Sequence, residues 1–190
     1  MKTKVPIILA SASPRRQELL TDLGITYTVF VREVDEFFPE DIHPRAVAVL
    51  ISENKAKAYD DMDKQNIIIT ADTVVTIDGK VFGKPKDSRE AEAMLLKLSG
   101  KTHSVITGVT IFHKGKFKSI SEETLVTFRT IRKADISHYI ETYQPFDKAG
   151  AYGIQEWIGK VAVSRIDGDY YNVVGLPVGR VYQELQEFEA

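Results

Sequence analysis

Three tight-turn signals constrain the fold of this chain more than any other feature. Each signal contains glycine and joins two strand-like segments, which is the pattern of a β-hairpin. The turns are Asp78-Gly79, Lys114-Gly115-Lys116 and Asp167-Gly168-Asp169, and they join residues 74–77 to 80–82, 102–112 to 117–128, and 161–166 to 170–174. Because the two strands of a hairpin run antiparallel, these signals exclude an all-parallel sheet.

Helical patterns alternate with the strand-like segments. The apolar run at residues 5–10 predicts a buried strand, and Ser13 and Pro14 then match the N-cap and the first position of a helix. Apolar stripes at helical spacing predict further helices at residues 44–59, 88–98 (capped by Ser88), 134–141 and from Pro177 onward. The predicted class is α/β with α+β character: a mixed, twisted β-sheet with flanking helices, in a single domain over residues 1–190.

The overall composition excludes several kinds of function. The 190 residues carry 25 Lys or Arg and 27 Asp or Glu, and the net charge of -2 argues against tight non-specific binding of nucleic acid, although it leaves local basic clusters open. The absence of cysteine excludes disulfides, thiolate catalysis and cysteine-bound metals. The apolar runs are too short to span a bilayer. We therefore expect a cytoplasmic protein with no membrane or nucleic-acid partner.

The segment Ser11-Ala12-Ser13-Pro14-Arg15-Arg16 leads from a predicted strand into a helix. Unpaired backbone N–H groups and the positive end of the helix dipole favour an anion at such a position. Arg15 and Arg16 in the first turn oppose the dipole, which is unfavourable unless an anion compensates. A Ser-Pro helix start is also a common structural cap, so this alternative stays open, but the two arginines favour phosphate binding.

Carboxylates at two positions are candidates for chemistry. Asp72 lies within an apolar stretch, where a carboxylate is costly to bury unless it is paired, hydrogen-bonded or bound to a metal. At the end of a buried strand it could hold Mg²⁺ or orient a water molecule. The acidic residues Glu33, Asp35 and Glu36 are by themselves more typical of a solvated surface. Asp35 becomes a candidate only if another carboxylate can meet it.

Cationic and amide side chains complete the set of candidates. Lys55 lies on the predicted helix at 44–59 and Lys84 follows a predicted hairpin, and either would normally be a surface residue. Residues 147–155 form a glycine-containing loop in which Gln155 can read the edge of a base, with a purely structural turn as the alternative. Cations with carboxylates, in the absence of a P-loop motif, indicate a metal-dependent enzyme or binder that acts on a phosphorylated small molecule.

Six motifs, in this order, resemble those of the Maf family of nucleoside triphosphate pyrophosphatases, first named as septum-formation inhibitors. The resemblance extends over essentially the whole chain. The motifs are Leu9-Ala10-Ser11-Ala12-Ser13-Pro14-Arg15-Arg16, Ala71-Asp72-Thr73-Val74-Val75, Gly83-Lys84-Pro85, Leu98-Ser99-Gly100-Lys101-Thr102-His103-Ser104-Val105, the loop at residues 147–155, and Val174-Gly175-Leu176-Pro177.

The resemblance implies cleavage of a nucleoside triphosphate between its α and β phosphates, with a divalent cation (Mg²⁺ or Mn²⁺). It also implies two lobes around a central active-site groove, and a homodimer. By this resemblance, Asp72 is the proton acceptor, a metal ligand or both, and Asp35 is the partner carboxylate for the metal. Three residues are implied as catalytic cations that bind phosphate, namely Arg15, Lys55 and Lys84, and Ser13 closes the phosphate loop. The base is implied to be selected by Thr73 and Gln155, with Arg15.

The loop that ends at Gln155 resembles the branch of the family that prefers dTTP and UTP. The implied role is to clear unwanted or modified nucleotides, and a part in cell-division arrest is left open. The alternative is a nucleotide-binding regulator of septum formation with little or no hydrolysis. The sequence departs from the family pattern in two places: Thr70 replaces a usual glycine, and Glu156-Trp157 follow Gln155, so that Trp157 is expected either to stack on a base or simply to pack.

Overall fold

The computed structural model describes residues 4–39 and 42–189. The chain divides into two compact units. Unit 1 comprises the residues up to Asp72, residues 107–122 and the residues from Gly175 onward, and unit 2 comprises residues 73–106 and 123–174. The chain passes from one unit to the other at four points, the first of them between Asp72 and Thr73.

The described part of the chain contains one seven-stranded mixed sheet. Its strands are β1 (Ile7–Leu9), β2 (Tyr27–Val29), β3 (Ile67–Ile77), β4 (Lys80–Phe82), β5 (Thr102–His113), β6 (Lys116–Phe128) and β7 (Val163–Asp167). The strand order is β2-β1-β3-β5-β6-β7, and β4 also pairs with β3. The strand β1 pairs in parallel with β2 and β3, whereas β4 and β7 pair antiparallel with β3 and β6. The predicted mixed α/β class is confirmed.

Unit 1 contains the helices α1 (Pro14–Asp22), α2 (Pro44–Lys57) and α7 (Val178–Glu189). The backbone of α2 lies very close to Gly108 of β5: a Cβ atom at this glycine would lie 2.4 Å from backbone atoms of Ala48 and Val49. The absence of a side chain at Gly108 therefore lets α2 lie directly on the strand. This close packing fixes the helix that carries Lys55.

Unit 2 contains the helices α3 (Ser88–Leu98), α4 (Lys133–Tyr143), α5 (Trp157–Ala162) and α6 (Tyr170–Val174), and a 3₁₀ turn at Ala149–Ala151. Its buried side chains form one apolar cluster. The buried members include Leu95, Leu98, Ile136, Tyr139, Ile154 and Ile158. The cluster therefore joins α3 and α4 to the loop that ends at Gln155.

The predicted hairpin at residues 161–174 is wrong in its second half. Its first half forms β7, but Tyr170–Val174 is the helix α6, and the preceding helix α5 was not predicted. The side chain of Asp169 accepts a hydrogen bond from the Tyr171 backbone N–H at 2.7 Å, which favours a helical turn. The buried Asn172 side chain donates to the Val105 carbonyl at 3.0 Å and to Thr124 at 2.9 Å. These distant partners stabilise a helix where the local pattern favours a strand.

Local signals predicted the turns better than the helix caps. Asp78 and Gly79 have φ angles of 51° and 74°, as the type I′ turn of the predicted hairpin requires. The N-cap of α3 is Asp87 and not Ser88, because the Asp87 side chain accepts from the Glu90 backbone N–H at 2.8 Å.

Within residues 4–39 and 42–189, no helix is long and apolar enough to cross a bilayer.

Candidate active site

The loop between β1 and α1 is held together by the Ser11 hydroxyl. This hydroxyl accepts hydrogen bonds from the backbone N–H of Ser13 and from the Arg16 guanidinium, both at 3.3 Å. Ser13 occupies the predicted N-cap, and its side chain makes no capping hydrogen bond; Pro14 takes the first helical position. The predicted start of α1 is confirmed, and the N-terminal end of the helix lacks a side-chain cap.

Arg16 connects three separate segments of unit 1. Besides Ser11, its guanidinium donates to the Ala71 carbonyl at 2.9 Å and to the Gly175 carbonyl at 2.8 Å. Burial lowers the pKa of Arg16, and the nearby Asp72 charge opposes this shift. The sequence suggested an anion-binding role for both arginines. In the structure, Arg16 instead connects the start of α1, the residue before Asp72 and the segment before α7 by hydrogen bonds.

Asp72 is buried and paired with a cation. The residue is 8% exposed, and its Oδ1 lies 2.9 Å from Nζ of Lys55 on α2. The same Nζ lies 2.7 Å from Oε1 of Glu36. Lys55 therefore bridges two carboxylates, and the ion pair offsets part of the cost of burying the Asp72 charge.

The acidic segment places Glu36, and not Asp35, against Lys55. Asp35 is exposed, and its Oδ1 accepts a hydrogen bond from the Phe37 backbone N–H at 3.1 Å. Nothing in the sequence distinguishes Glu36 from Asp35 in this respect, because the two acids are neighbours in one short segment. The role of Asp35 in metal binding stays a prediction.

Arg32 anchors the chain just before the acidic segment. Its guanidinium makes a bidentate ion pair with Asp61 at 2.7 and 2.9 Å. It also lies over the rings of Phe30 and Tyr59, at 5.5 and 5.0 Å from their centroids. The Tyr59 hydroxyl donates to the Phe30 carbonyl at 2.9 Å and accepts from the Arg32 backbone N–H at 2.8 Å. These contacts fix the position from which Glu36 reaches Lys55.

Two carboxylates of unit 1, Asp72 and Glu36, are candidates for holding a divalent cation. Within the described residues, no group of three or more His, Asp or Glu side chains is arranged to hold a metal. A dedicated all-protein cage is not needed, because Mg²⁺ in nucleotide enzymes is usually bound by one or two carboxylates together with substrate phosphates and water. Asp72 and Glu36, which meet at Lys55, form a donor set of this kind.

Unit 2 brings the Lys84 segment beside the 3₁₀ turn. The backbone N–H of Gly150 donates to the Gly83 carbonyl at 3.0 Å. Gly150 has a φ angle of 68°, and a Cβ atom there would lie 2.8 Å from a methyl group of Val75 in β3. Only glycine therefore fits this close approach. Lys84 is exposed and lines a pocket of about 280 Å³ with Lys97 and Glu90.

Gln155 has a buried atom that lacks a hydrogen-bond partner. Its Oε1 is inaccessible to solvent, and no donor among the described residues reaches it. An unpaired buried acceptor is costly, so such an atom is a candidate for pairing with a ligand. Thr73, the other predicted base-selecting residue in unit 2, is partly buried on β3.

A chain of polar contacts surrounds the Gln155 segment. Lys148 is 7% exposed, and its Nζ lies 2.7 Å from Asp147 Oδ1 and 3.1 Å from Glu156 Oε1. The Tyr139 hydroxyl donates to Glu156 Oε2 and accepts from the Gly153 backbone N–H at 3.0 Å. Sequence patterns do not predict this arrangement, since Tyr139 lies on a different element from the loop.

Two aromatic neighbours of the loop have structural roles. His103 is 2% exposed and its Nε2 pairs with the Tyr152 hydroxyl at 2.8 Å. Burial lowers the pKa of His103 to about 4, so the ring is neutral near pH 7 and is a poor candidate for a catalytic base. Trp157 packs edge-on against His138, with 5.1 Å between ring centroids. Of the two expectations for Trp157, the structure supports packing.

Comparisons with known proteins agree over nearly the whole chain. A family model described as "Maf-like protein" matches residues 6–188. A protein of Phocaeicola vulgatus named "dTTP/UTP pyrophosphatase" is 50% identical, with 97% of this chain and 96% of that protein covered. A Porphyromonas gingivalis protein of the same name is 46% identical, with 97% and 95% covered. A HAM1 protein from Coxiella burnetii has a similar fold, with a TM-score of 0.50, 16% identity and coverage of 96% and 99%.

Proposed function

The chain belongs to the family of Maf-like proteins, and we propose that it hydrolyses dTTP and UTP to the nucleoside monophosphate and pyrophosphate. The observation that carries this proposal is the shared name of several relatives, "dTTP/UTP pyrophosphatase", whose similarity spans nearly the full length of both chains. In a cell, this activity would clear unwanted or modified pyrimidine nucleotides from the cytoplasm.

Asp72 is the proposed proton acceptor. Water attacks the α-phosphorus, the bond between this phosphorus and the bridging oxygen breaks, and pyrophosphate leaves with the electron pair. Asp72 takes the proton from the attacking water, which makes the water a stronger nucleophile. The contact between Oδ1 and Lys55 supports this role, because it restrains the carboxylate and leaves Oδ2 to accept the proton.

Arg15, Lys55 and Lys84 are the proposed phosphate-binding cations. Arg15 lies in the first turn of α1, whose N-terminal end has no side-chain cap and favours an anion. The Lys55 ammonium has three N–H donors, and with two directed at Asp72 and Glu36 one is left for a phosphate oxygen. These charges stabilise the negative charge that develops on the leaving pyrophosphate. The Ser13 hydroxyl adds a neutral donor at the same helix end.

A divalent cation, Mg²⁺ or Mn²⁺, is the proposed cofactor. Asp72 would hold it with Glu36, which shares Lys55 with Asp72, or with Asp35, which the family resemblance implies. When bound, such an ion neutralises phosphate charge and polarises the α-phosphate. Because Lys55 already neutralises part of the charge on both carboxylates, the protein can keep these carboxylates close together before the nucleotide binds.

Gln155 is the proposed reader of the base, with Thr73 and Arg15 assisting. Thymine and uracil both present an N3–H donor beside a carbonyl acceptor, and a carboxamide matches this pair with its own acceptor and donor. The unpartnered Oε1 of Gln155 is suited to accept the N3–H. Cytosine has no hydrogen at N3 and would leave this atom unpaired, so we expect CTP to be a poor substrate.

The proposal is tested by pyrophosphate release from dTTP, UTP, CTP, ATP and GTP with Mg²⁺ or Mn²⁺. We expect metal-dependent release of pyrophosphate from dTTP and UTP, and much slower release from the other three. Tight binding of dTTP and UTP without cleavage would overturn the proposal and favour a nucleotide-binding regulator.

We also propose a homodimer, which light scattering of the purified protein tests.

Replacing Gln155 by alanine should reduce base selectivity more than catalysis. We expect the ratio of kcat/KM for dTTP over CTP to fall at least about tenfold, mainly through a higher KM for dTTP, because the N3–H loses its acceptor. The matched control is Gln183→Ala, at an exposed position on α7, which should leave the ratio unchanged. An unchanged ratio in Gln155→Ala would show that another residue reads the base.

A further inference from the structure

The short segment that carries Gln155 is tied at both ends to one hydroxyl. The backbone N–H of Gly153 donates to the Tyr139 hydroxyl at 3.0 Å, and this hydroxyl donates to the Glu156 carboxylate. Tyr139 itself is fully buried on α4. Residues 153–156 therefore form a loop that is closed by a side chain from a separate helix, with Gln155 between its two tied points.

The direction of these hydrogen bonds is fixed by protonation. Burial, together with the hydrogen bond to Glu156, raises the pKa of Tyr139, so the phenol keeps its proton near pH 7. Its single O–H can be donated only once, and the Glu156 carboxylate accepts it. The oxygen lone pairs then accept the Gly153 N–H, so the arrangement has only one hydrogen-bonding pattern.

Lys148 extends this arrangement to the 3₁₀ turn. Its buried ammonium compensates the charge of Glu156 at 3.1 Å and that of Asp147 at 2.7 Å. Lys148 directly precedes the turn whose Gly150 lies against Val75. The ion pair with Glu156 therefore connects the far end of the Gln155 segment to a turn that is already fixed on β3.

The Gln155 amide lies directly on the backbone of this closed segment. A Cβ atom at Gly153 would lie 3.1 Å from Gln155 Nε2 and 2.9 Å from the Glu156 carboxyl carbon. Any shift of Gly153 or Glu156 would therefore displace the amide. The unpartnered Oε1 is held in place by this packing, since no hydrogen bond from the described residues holds it.

We propose that Tyr139, Lys148 and Glu156 are positioning residues, which hold the Gln155 carboxamide where it discriminates bases by an N3–H donor. The inference rests on the proposed function and names three residues that determine its specificity without touching the substrate. Glu156 supplies a carboxylate that the Tyr139 hydroxyl and Lys148 both contact.

Stability alone is a weak explanation for the arrangement. A buried ion pair contributes little net stability relative to well-packed apolar side chains, because both charges lose their hydration. Lys148 and Glu156 have side-chain exposures of only 8% and 20%, so this loss is substantial. A purely structural role predicts that substitutions lower the melting temperature alone. A positioning role predicts that they also change the choice of base.

The test uses Tyr139→Phe and Glu156→Gln, with Asp135→Asn as the matched control. Tyr139→Phe removes one hydroxyl and keeps the buried ring, and Asp135 is a partly buried residue in the first turn of the same helix that pairs with the N-cap residue Arg132. For both test variants we expect a KM for dTTP raised about tenfold, a kcat changed by less than about threefold, and a dTTP over CTP selectivity reduced about tenfold. The control should match wild type in all three quantities.

A further variant covers the case in which the first two fold poorly. Gly153→Ala keeps Tyr139, Lys148 and Glu156 but pushes on the Gln155 amide and the Glu156 carboxylate, so it should reproduce the loss of selectivity. Lower melting temperatures with wild-type KM and selectivity would overturn the inference. A lower kcat with an unchanged KM would also overturn it.

A binding measurement separates this inference from the proposed function. The affinities of wild type and variants are compared for dTTP and CTP analogues with a non-hydrolysable imido group between the α and β phosphates. If wild type cleaves no triphosphate, the proposed function fails. The affinity ratio of the two analogues then decides the inference: a reduced ratio in the variants supports it, and an unchanged ratio overturns it.

Discussion

Replacing Asp72 by asparagine is expected to lower kcat for dTTP and UTP about 1000-fold, within the range that a lost general base produces. The asparagine has nearly the same shape, and its side-chain oxygen can still accept a hydrogen bond from Lys55, which lies 2.9 Å from Oδ1 in the native protein. It cannot take a proton from water. The fold should therefore persist, with loss of turnover, and steady-state kinetics with a melting curve measures both.

The control for this substitution is Asp78→Asn. Asp78 lies in the turn after β3, its side chain is 73% exposed, and asparagine tolerates its positive φ angle. We expect wild-type kcat and KM for this variant. If Asp72→Asn keeps a tenth or more of the wild-type turnover (less than about 1.4 kcal/mol of barrier), another group must accept the proton.

Replacing Arg16 by methionine is expected to have the largest effect on stability. The change removes donors from the carbonyls of Ala71 and Gly175 and from the Ser11 hydroxyl. With hydrogen bonds to charged groups contributing about 1.5 to 3 kcal/mol each and not adding fully, we expect a loss of about 3 kcal/mol. For a chain of this length that corresponds to a melting temperature lower by roughly 10 °C, which calorimetry measures.

Arg15→Met is the matched control, one residue away in the same turn. We propose Arg15 as a phosphate ligand, so its loss should raise the KM for dTTP and change the melting temperature by only about 2 °C. The two variants thus separate stability from affinity. If Arg16→Met had the melting temperature of wild type and a raised KM for dTTP, the structural role would be contradicted. The anion-binding role that the sequence suggested for Arg16 would then be favoured.

The parts of the fold that the sequence predicted are those that depend on near neighbours. The Asp78-Gly79 turn and the start of α1 at Pro14 follow from backbone preferences of one or two residues, and both are confirmed. The helix at Tyr170–Val174 depends on Asn172 and its partners Val105 and Thr124, which lie 67 and 48 residues away. No local pattern contains that information, so the segment was predicted as a strand.

In the candidate site, too, the sequence predicts what depends on near neighbours and misses what depends on residues distant in the chain. Asp72 could be predicted because a carboxylate inside an apolar run needs a partner, and the structure supplies Lys55. That Glu36 rather than its neighbour Asp35 contacts Lys55 depends on how the acidic segment is anchored, which spacing does not reveal. The contact between Arg16 and Gly175 spans 159 residues and was equally inaccessible.

The proposed mechanism is tested most directly by hydrolysing dTTP in water enriched in a heavy oxygen isotope and analysing the products by mass spectrometry. Attack of an Asp72-activated water on the α-phosphorus places the heavy oxygen in the monophosphate and leaves pyrophosphate unlabelled. Asp72→Asn should form neither product at an appreciable rate. Label in the pyrophosphate, or release of dTDP with orthophosphate, would contradict attack of water on the α-phosphorus.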